Sequence, residues 1–222
     1  MTKVKMCGLY RDEDIQAANL VHPDYIGFVF YKKSHRNVDI DTAFRLKSKL
    51  DTSIKAVGVF VNEDISFIKE LVDKKIIDLI QLHGNEDEAY ISKLRNIIDN
   101  PDVQIIKAAI IKSEDDFAKY PDLIKKSISE SSSVPDCVNN INADYYLLDS
   151  GMGSGSSFNW DLIIDTNKPI FLAGGLDCEN ISEALKKVKP YAVDVSSGIE
   201  TDKVKDLEKM KSFMNLVKTA EN

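Results

Sequence analysis

Residues 169–198 read PIFLAGGLDCENISEALKKVKPYAVDVSSG. Two short apolar runs, 169–173 and 191–195, lie on either side of a segment with a different period. Ile181, Ala184, Leu185 and Val188 recur at i, i+3, i+4 and i+7, the stripe of an amphipathic helix, with Asp177 placed to cap its start. The flanking runs do not alternate polar with apolar, which is how parallel strands covered on both faces read. Each run ends in small residues: Ala173-Gly174-Gly175 after the first and Ser196-Ser197-Gly198 after the second. The stretch is therefore one strand–helix–strand unit, and such units wind right-handed.

The same alternation runs through the whole chain. Candidate strands fall at 3–7, 25–30, 55–61, 79–82, 103–108, 145–148, 169–173 and 191–195. After the eighth, Val204, Leu207, Met210, Phe213 and Val217 mark a final helix. Eight repeats in 222 residues predict an α/β fold, a single (β/α)₈ TIM barrel domain spanning 1–222. Eight of the ten glycines follow strand ends, and the other two, Gly27 and Gly58, lie inside strands. Residues 126–142, KSISESSSVPDCVNNIN, break the pattern. Their polar, serine-rich composition predicts a surface insertion between the fifth and sixth strands that carries no chemistry.

Composition narrows the classes of function. The net charge of −7 lacks the basic face that nucleic acid requires, but one phosphate can be held by backbone N–H groups whatever the global charge. No apolar run reaches membrane-spanning length, and the lysine-interrupted N-terminus does not read as a secretory signal. Cys7, Cys137 and Cys178 are scattered, without disulfide or zinc spacing. The expectation is a cytoplasmic protein that binds no metal, with neither nucleic acid nor membrane as partner.

In a parallel barrel the strand C-termini share one face, where active sites are built. Cys7 ends the first strand; it suits a small buried hydrophobe, and equally a thiolate base if its surroundings stabilise the anion. Asp149 follows four apolar residues at the end of the sixth strand. It fits either turn chemistry with Ser150 and Gly151 or a partly desolvated general acid. Arg36 follows the second strand and suits a planar carboxylate, or plain solvent. Gln81 and His83 flank Leu82 and face one way, towards ligand or towards buried backbone. Gly174-Gly175 and Ser196-Ser197-Gly198 follow strands seven and eight, the two loops that commonly bind phosphate in this fold.

With these residues in place, the chain resembles the phosphoribosylanthranilate isomerases of tryptophan biosynthesis. The matching blocks include Lys5-Met6-Cys7-Gly8, Gln81-Leu82-His83-Gly84, Leu147-Leu148-Asp149, Gly153-Ser154-Gly155, Leu172-Ala173-Gly174-Gly175-Leu176 and Asp194-Val195-Ser196-Ser197-Gly198. The resemblance implies a cofactor-free Amadori rearrangement of N-(5-phosphoribosyl)anthranilate, with Asp149 as acid, Cys7 as base and Arg36 on the anthranilate carboxylate. It further implies that Gly153, Gly155, Gly174, Gly175, Ser196, Ser197 and Gly198 line the phosphate pocket. Asp194 would orient sugar hydroxyls or support its loop. The partner is a small phosphoribosyl molecule, and monomer and homodimer stay equally open.

The sequence departs from the family's pattern at Met152 within the glycine run, at Asn159, at His35 and at Lys203, where a glycine is common. Two rivals remain. A histidine-pathway-type phosphoribosyl isomerase shares the phosphate loops but carries an aspartate where Cys7 stands. A non-catalytic phosphosugar-binding barrel would have no need of Cys7 and Asp149.

Overall fold

A computed structural model describes residues 1–111, 114–120, 142–149 and 168–220. Eight parallel strands close into a barrel in sequence order: β1 (Lys3–Cys7), β2 (Tyr25–Phe30), β3 (Lys55–Phe60), β4 (Leu79–Leu82), β5 (Gln104–Ile110), β6 (Tyr145–Asp149), β7 (Ile170–Leu172) and β8 (Ala192–Val195). The ring is sealed where Lys3 to Met6 pair with Ala192 to Val195. Every strand read from the sequence is present, with ends displaced by at most a few residues.

Around the barrel run α1 (Asp12–Val21), α2 (Ile40–Lys47), α3 (Ile65–Asp73), α4 (Glu88–Ile98), α5 (Ile181–Val188) and α6 (Leu207–Thr219). Aspartates start four of them: the carboxylates of Asp39, Asp64, Asp87 and Asp206 accept backbone N–H groups of the first turn. Apolar residues on the outer strand faces pack against the helices in one large core. A second cluster fills the barrel interior, including Tyr25, Val57, Leu79, Ile106, Tyr145, Leu147 and Phe171. At the N-terminal end of the strands the rings of Tyr25, Tyr145, Phe171 and Tyr191 pack together, and the Tyr25 and Tyr191 hydroxyls lie 3.1 Å apart. That aromatic plug fills the N-terminal end of the barrel.

Two local readings are corrected. Asp177 does not cap α5; Asn180 is its N-cap, and the Asp177 carboxylate instead accepts from the N–H groups of Glu179 and Asn180. The aspartate closes a separate turn that precedes the helix. Val204 does not belong to the last helix. It lies in β10 (Val204–Lys205), paired antiparallel with β9 (Glu200–Thr201). The two residues between them, Asp202 and Lys203, have φ of 52° and 66°, the conformation of a tight two-residue hairpin turn. Lys203 therefore occupies a position whose backbone favours glycine.

The segment 126–142 lies outside the described residues apart from Asn142.

Candidate active site

Strand alternation aims Lys5 and Cys7 of β1 into the barrel, together with Asp194 of β8. Lys5 is completely buried, and its Nζ donates to Asp194 Oδ1 at 2.9 Å. Cys7 stands one step higher, at the strand's last position. The neighbouring strand makes room for it, because a Cβ on Gly27 would lie 2.7 Å from Cys7 Sγ. Burial pushes the Cys7 thiol above its ordinary range; Lys5 foremost, and Lys205, pull it down without overcoming that burial. The positive charge that a thiolate requires is thus supplied by two lysines that the sequence reading did not assign. Burial alone would discharge Lys5, but Asp194 and Cys7 outweigh it and raise the ammonium above its usual range.

Gly8 has a φ of +78°, and a Cβ there would meet Arg36 Cδ at 2.3 Å. The glycine is a bed for the arginine side chain. The guanidinium lies in a two-pronged contact with Glu200, Nε to Oε1 at 2.7 Å and Nη2 to Oε2 at 2.6 Å. Arg36 is therefore an ordered, ion-paired residue. Glu200 also accepts from Lys205 Nζ at 2.6 Å, and the same ammonium donates to the Ser196 carbonyl at 2.9 Å. Burial would raise the Glu200 carboxyl, but Arg36 and Lys205 win and hold it below the usual carboxylate range. Ser196 Oγ in turn donates to the Cys7 carbonyl at 3.0 Å. One network thus joins Arg36, Glu200, Lys205, Ser196 and the backbone of Cys7.

Asp149 ends β6, and its Oδ2 lies 3.4 Å from His83 Nε2. Gln81 sits deeper, 1% exposed, with Nε2 2.9 Å from His83 Nδ1. Gln81 and His83 do face one way, but Gln81 stands behind His83. The loop after His83 is anchored by Glu86, which accepts from the backbone N–H groups of Asn62 and Gly84 and pairs with buried Lys107.

The loops after β7 and β8 meet. Asp177 and Gly198 form a bridge, and a Cβ on Gly198 would lie 2.0 Å from the Leu176 carbonyl. Gly174 and Gly175 both take positive φ, and a Cβ on Gly175 would enter open space. Ser197 lies on the same side, with the Glu200 N–H donating to its carbonyl at 3.0 Å. Gly153 and Gly155 lie outside the described residues.

Lys5, Glu200 and Lys205 join the candidate site through these contacts without having been singled out from the sequence. The period of two from Cys7 points directly to Lys5. Glu200 and Lys205 belong together only through the β9–β10 hairpin, for which the sequence carries no glycine signal.

The sequence matches the family described as N-(5'-phosphoribosyl)anthranilate (PRA) isomerase over residues 4–216. The N-(5'-phosphoribosyl)anthranilate isomerase of Endomicrobium trichonymphae is 42% identical over 224 residues, covering 99% of this chain and 100% of the relative. That of Clostridium acetobutylicum is 40% identical over 227 residues, with 98% of each covered. The crystal structure of phosphoribosyl anthranilate isomerase from Thermotoga maritima superposes with a TM-score of 0.81 at 32% identity, covering 99% of this chain and 100% of that one. A phosphoribosyl anthranilate isomerase in complex with reduced 1-(o-carboxyphenylamino)-1-deoxyribulose 5-phosphate gives a TM-score of 0.79 at 31% identity, with the same coverage. A closed barrel, a thiol and a carboxylate at one mouth, and these end-to-end likenesses agree: the chain belongs to the phosphoribosylanthranilate isomerase family of tryptophan biosynthesis.

Proposed function

We propose that this member of the family performs its isomerisation with Asp149 as general acid and Cys7 as general base. The observation that carries the assignment is positional. Cys7 and Asp149 are the last residues of β1 and β6 in a barrel whose strands all run parallel, so both stand at the same mouth. The Asp149 carboxyl gives its proton to the furanose ring oxygen. The C1′–O bond breaks as the nitrogen lone pair forms the Schiff base. The Cys7 thiolate then removes the C2′ proton, and the C–H electron pair moves towards nitrogen to give the enolamine. Loss of the O2′ proton and protonation at C1′ complete the ketone.

Arg36 supports binding of the anthranilate carboxylate. Glu200 occupies the edge formed by Nε and one Nη2 hydrogen, which leaves the Nη1 edge for a second carboxylate. Gly174, Gly175, Ser196, Ser197 and Gly198 take the phosphate. Asp194 is read as a support for Lys5 and the β8 loop. The substrate is a small phosphoribosyl molecule, and the site of action is the cytoplasm, where unpaired thiols stay reduced. The unit is one barrel domain, 1–222. Among the described residues no helix is long and apolar enough to cross a membrane.

Turnover followed by anthranilate fluorescence tests the pair. Positioned acid–base groups contribute about 10²–10⁴-fold, so Cys7→Ala and Asp149→Ala are each expected to lower kcat by that order with KM little changed. A Cys7→Ala enzyme with near-normal kcat returns Cys7 to a packing role.

A further inference from the structure

We infer that Lys203 is a specificity-determining residue for this reaction: from the tip of the β9–β10 hairpin its ammonium attracts the carboxylate end of the substrate and favours ligands that carry that charge. The inference rests on the reading of Arg36 as the carboxylate's partner. Contacts to two neighbouring loops place the tip. The hydroxyl of Tyr10, in the loop after β1, donates to the Lys203 carbonyl at 3.4 Å. Glu200, on the first strand of the hairpin, holds Arg36 from the loop after β2. That arginine keeps 20% of its side chain exposed, so the hairpin lies beside a guanidinium that ligand can reach.

A lysine at this tip works against its own turn. Its φ is 66°, a conformation in which a Cβ crowds the backbone and glycine is at ease. No side-chain contact offsets that strain. Lys203 is exposed, and among the described residues its ammonium makes neither an ion pair nor a hydrogen bond. Backbone strain at the edge of a site, with nothing packed on the side chain, points to what the charge does in solvent.

The charges around the tip have one predominant sign. The loop after β2 carries exposed Lys32 and Lys33 as well as Arg36, and the hairpin carries Lys203 and Lys205. Against them stand Glu200, already shared between Arg36 and Lys205, and Asp202, the neighbour of Lys203 in the turn. His35 registers the balance from within this group. Burial first, then Arg36, Lys203 and Lys205, hold its imidazole below the ordinary histidine range, against the pull of Glu200. His35 and Lys203, two departures from the family's pattern that are far apart in the chain, thus share one field. A chain with a net charge of −7 presents a locally positive rim beside Arg36, and the substrate carries a carboxylate as well as a phosphate.

Lys203→Gly is the direct test, because glycine suits the turn and removes only the side chain. Its kcat is expected to equal the wild type's, and its kcat/KM at low ionic strength to fall about 1.5- to 5-fold, the range for one exposed charge. The deficit should close in about 1 M salt, where screening acts within roughly 3 Å. Lys203→Arg, which keeps both charge and strain, should match the wild type. No deficit at low salt, or one that persists in high salt, overturns the inference. Thermal melts separate charge from fold: Lys203→Gly should melt no lower than the wild type, and a lower Tm makes Lys203 a structural residue of the hairpin and overturns the inference. Two competitive inhibitors test the ligand class: reduced carboxyphenylamino deoxyribulose phosphate, and its phenylamino counterpart without the carboxyl group. Lys203→Gly should weaken the first and leave the second unchanged; equal losses assign the charge to the phosphate and overturn the specificity. Arg36→Ala separates the two readings. If it leaves KM unchanged, the carboxylate reading itself fails; if it raises KM while Lys203→Gly changes nothing, only the role of Lys203 fails.

Discussion

Lys5→Met removes a buried ammonium that serves two partners, and its two effects can be measured apart. The first is stability. Asp194 would remain buried with its partner gone, and breaking one side of such a pair costs about 3–5 kcal/mol. The second is chemical. Lys5 and Cys7 are two residues apart on one strand face, roughly 6.6 Å at 3.3 Å per residue. At an effective dielectric of about 20, unit charges even at that backbone spacing attract by about 2–3 kcal/mol, and the two side chains reach closer, within hydrogen-bonding contact. Withdrawing this from the thiolate should lower kcat at neutral pH by on the order of 30- to 100-fold. The acid limb of kcat/KM should shift to higher pH, because burial already holds the Cys7 thiol up and its chief counterweight is gone. Denaturant melts and a pH–rate profile by fluorescence measure the two effects. In Lys5→Met/Asp194→Asn the stranded carboxylate is removed, so stability should largely return while the acid limb stays displaced. A Lys5→Met enzyme with an unmoved acid limb would refute the electrostatic role and leave Lys5 as a strut for Asp194.

Glu200 sits below the usual carboxylate range, so its pairing with Arg36 and Lys205 stabilises the fold above the unfolded-state value, and that contribution is lost as pH falls through the lower folded value. Glu200→Gln should therefore flatten the acid side of the stability–pH curve and raise KM more than it lowers kcat; an acid side as steep as the wild type's would count against the pairing. Gly8→Ala adds a Cβ where Arg36 Cδ lies and forces alanine to positive φ, so a KM increase comparable to that of Arg36→Ala is expected. Unchanged kinetics in Gly8→Ala would show that Arg36 does not need its bed.

The barrel was legible because its strands are short apolar runs that two covered faces demand, and because small residues gather at one strand end. Cys7, Asp149 and the two loops at Gly174 and Ser196 could be placed for the same reason: each follows a strand. What escaped the reading was pairing. Nothing linear shows that Lys5 faces Asp194, 189 residues away, or that Arg36 meets Glu200 across 164 residues. The hairpin at Asp202 and Lys203 was missed because those two residues take left-handed backbone without a glycine to signal it. Val204 then fell in with the stripe of α6 by coincidence of spacing. Asp177 misled in the opposite way, since a carboxylate four residues before Ile181 satisfies a turn as readily as a helix end.

The β9–β10 hairpin gives the tail of the molecule an unexpected duty. Lys209, in the first turn of α6, donates to the Glu200 carbonyl at 2.6 Å, and Asp206 both caps that helix and accepts from the Thr201 hydroxyl at 2.8 Å. The helix is thereby tethered to the backbone of the residue whose carboxylate pairs with Arg36. For anyone re-engineering the chain, a new terminus or fusion joint opened between 199 and 209 would loosen the Glu200–Arg36 pair, and with it the carboxylate contact proposed for Arg36, well before the barrel itself gave way.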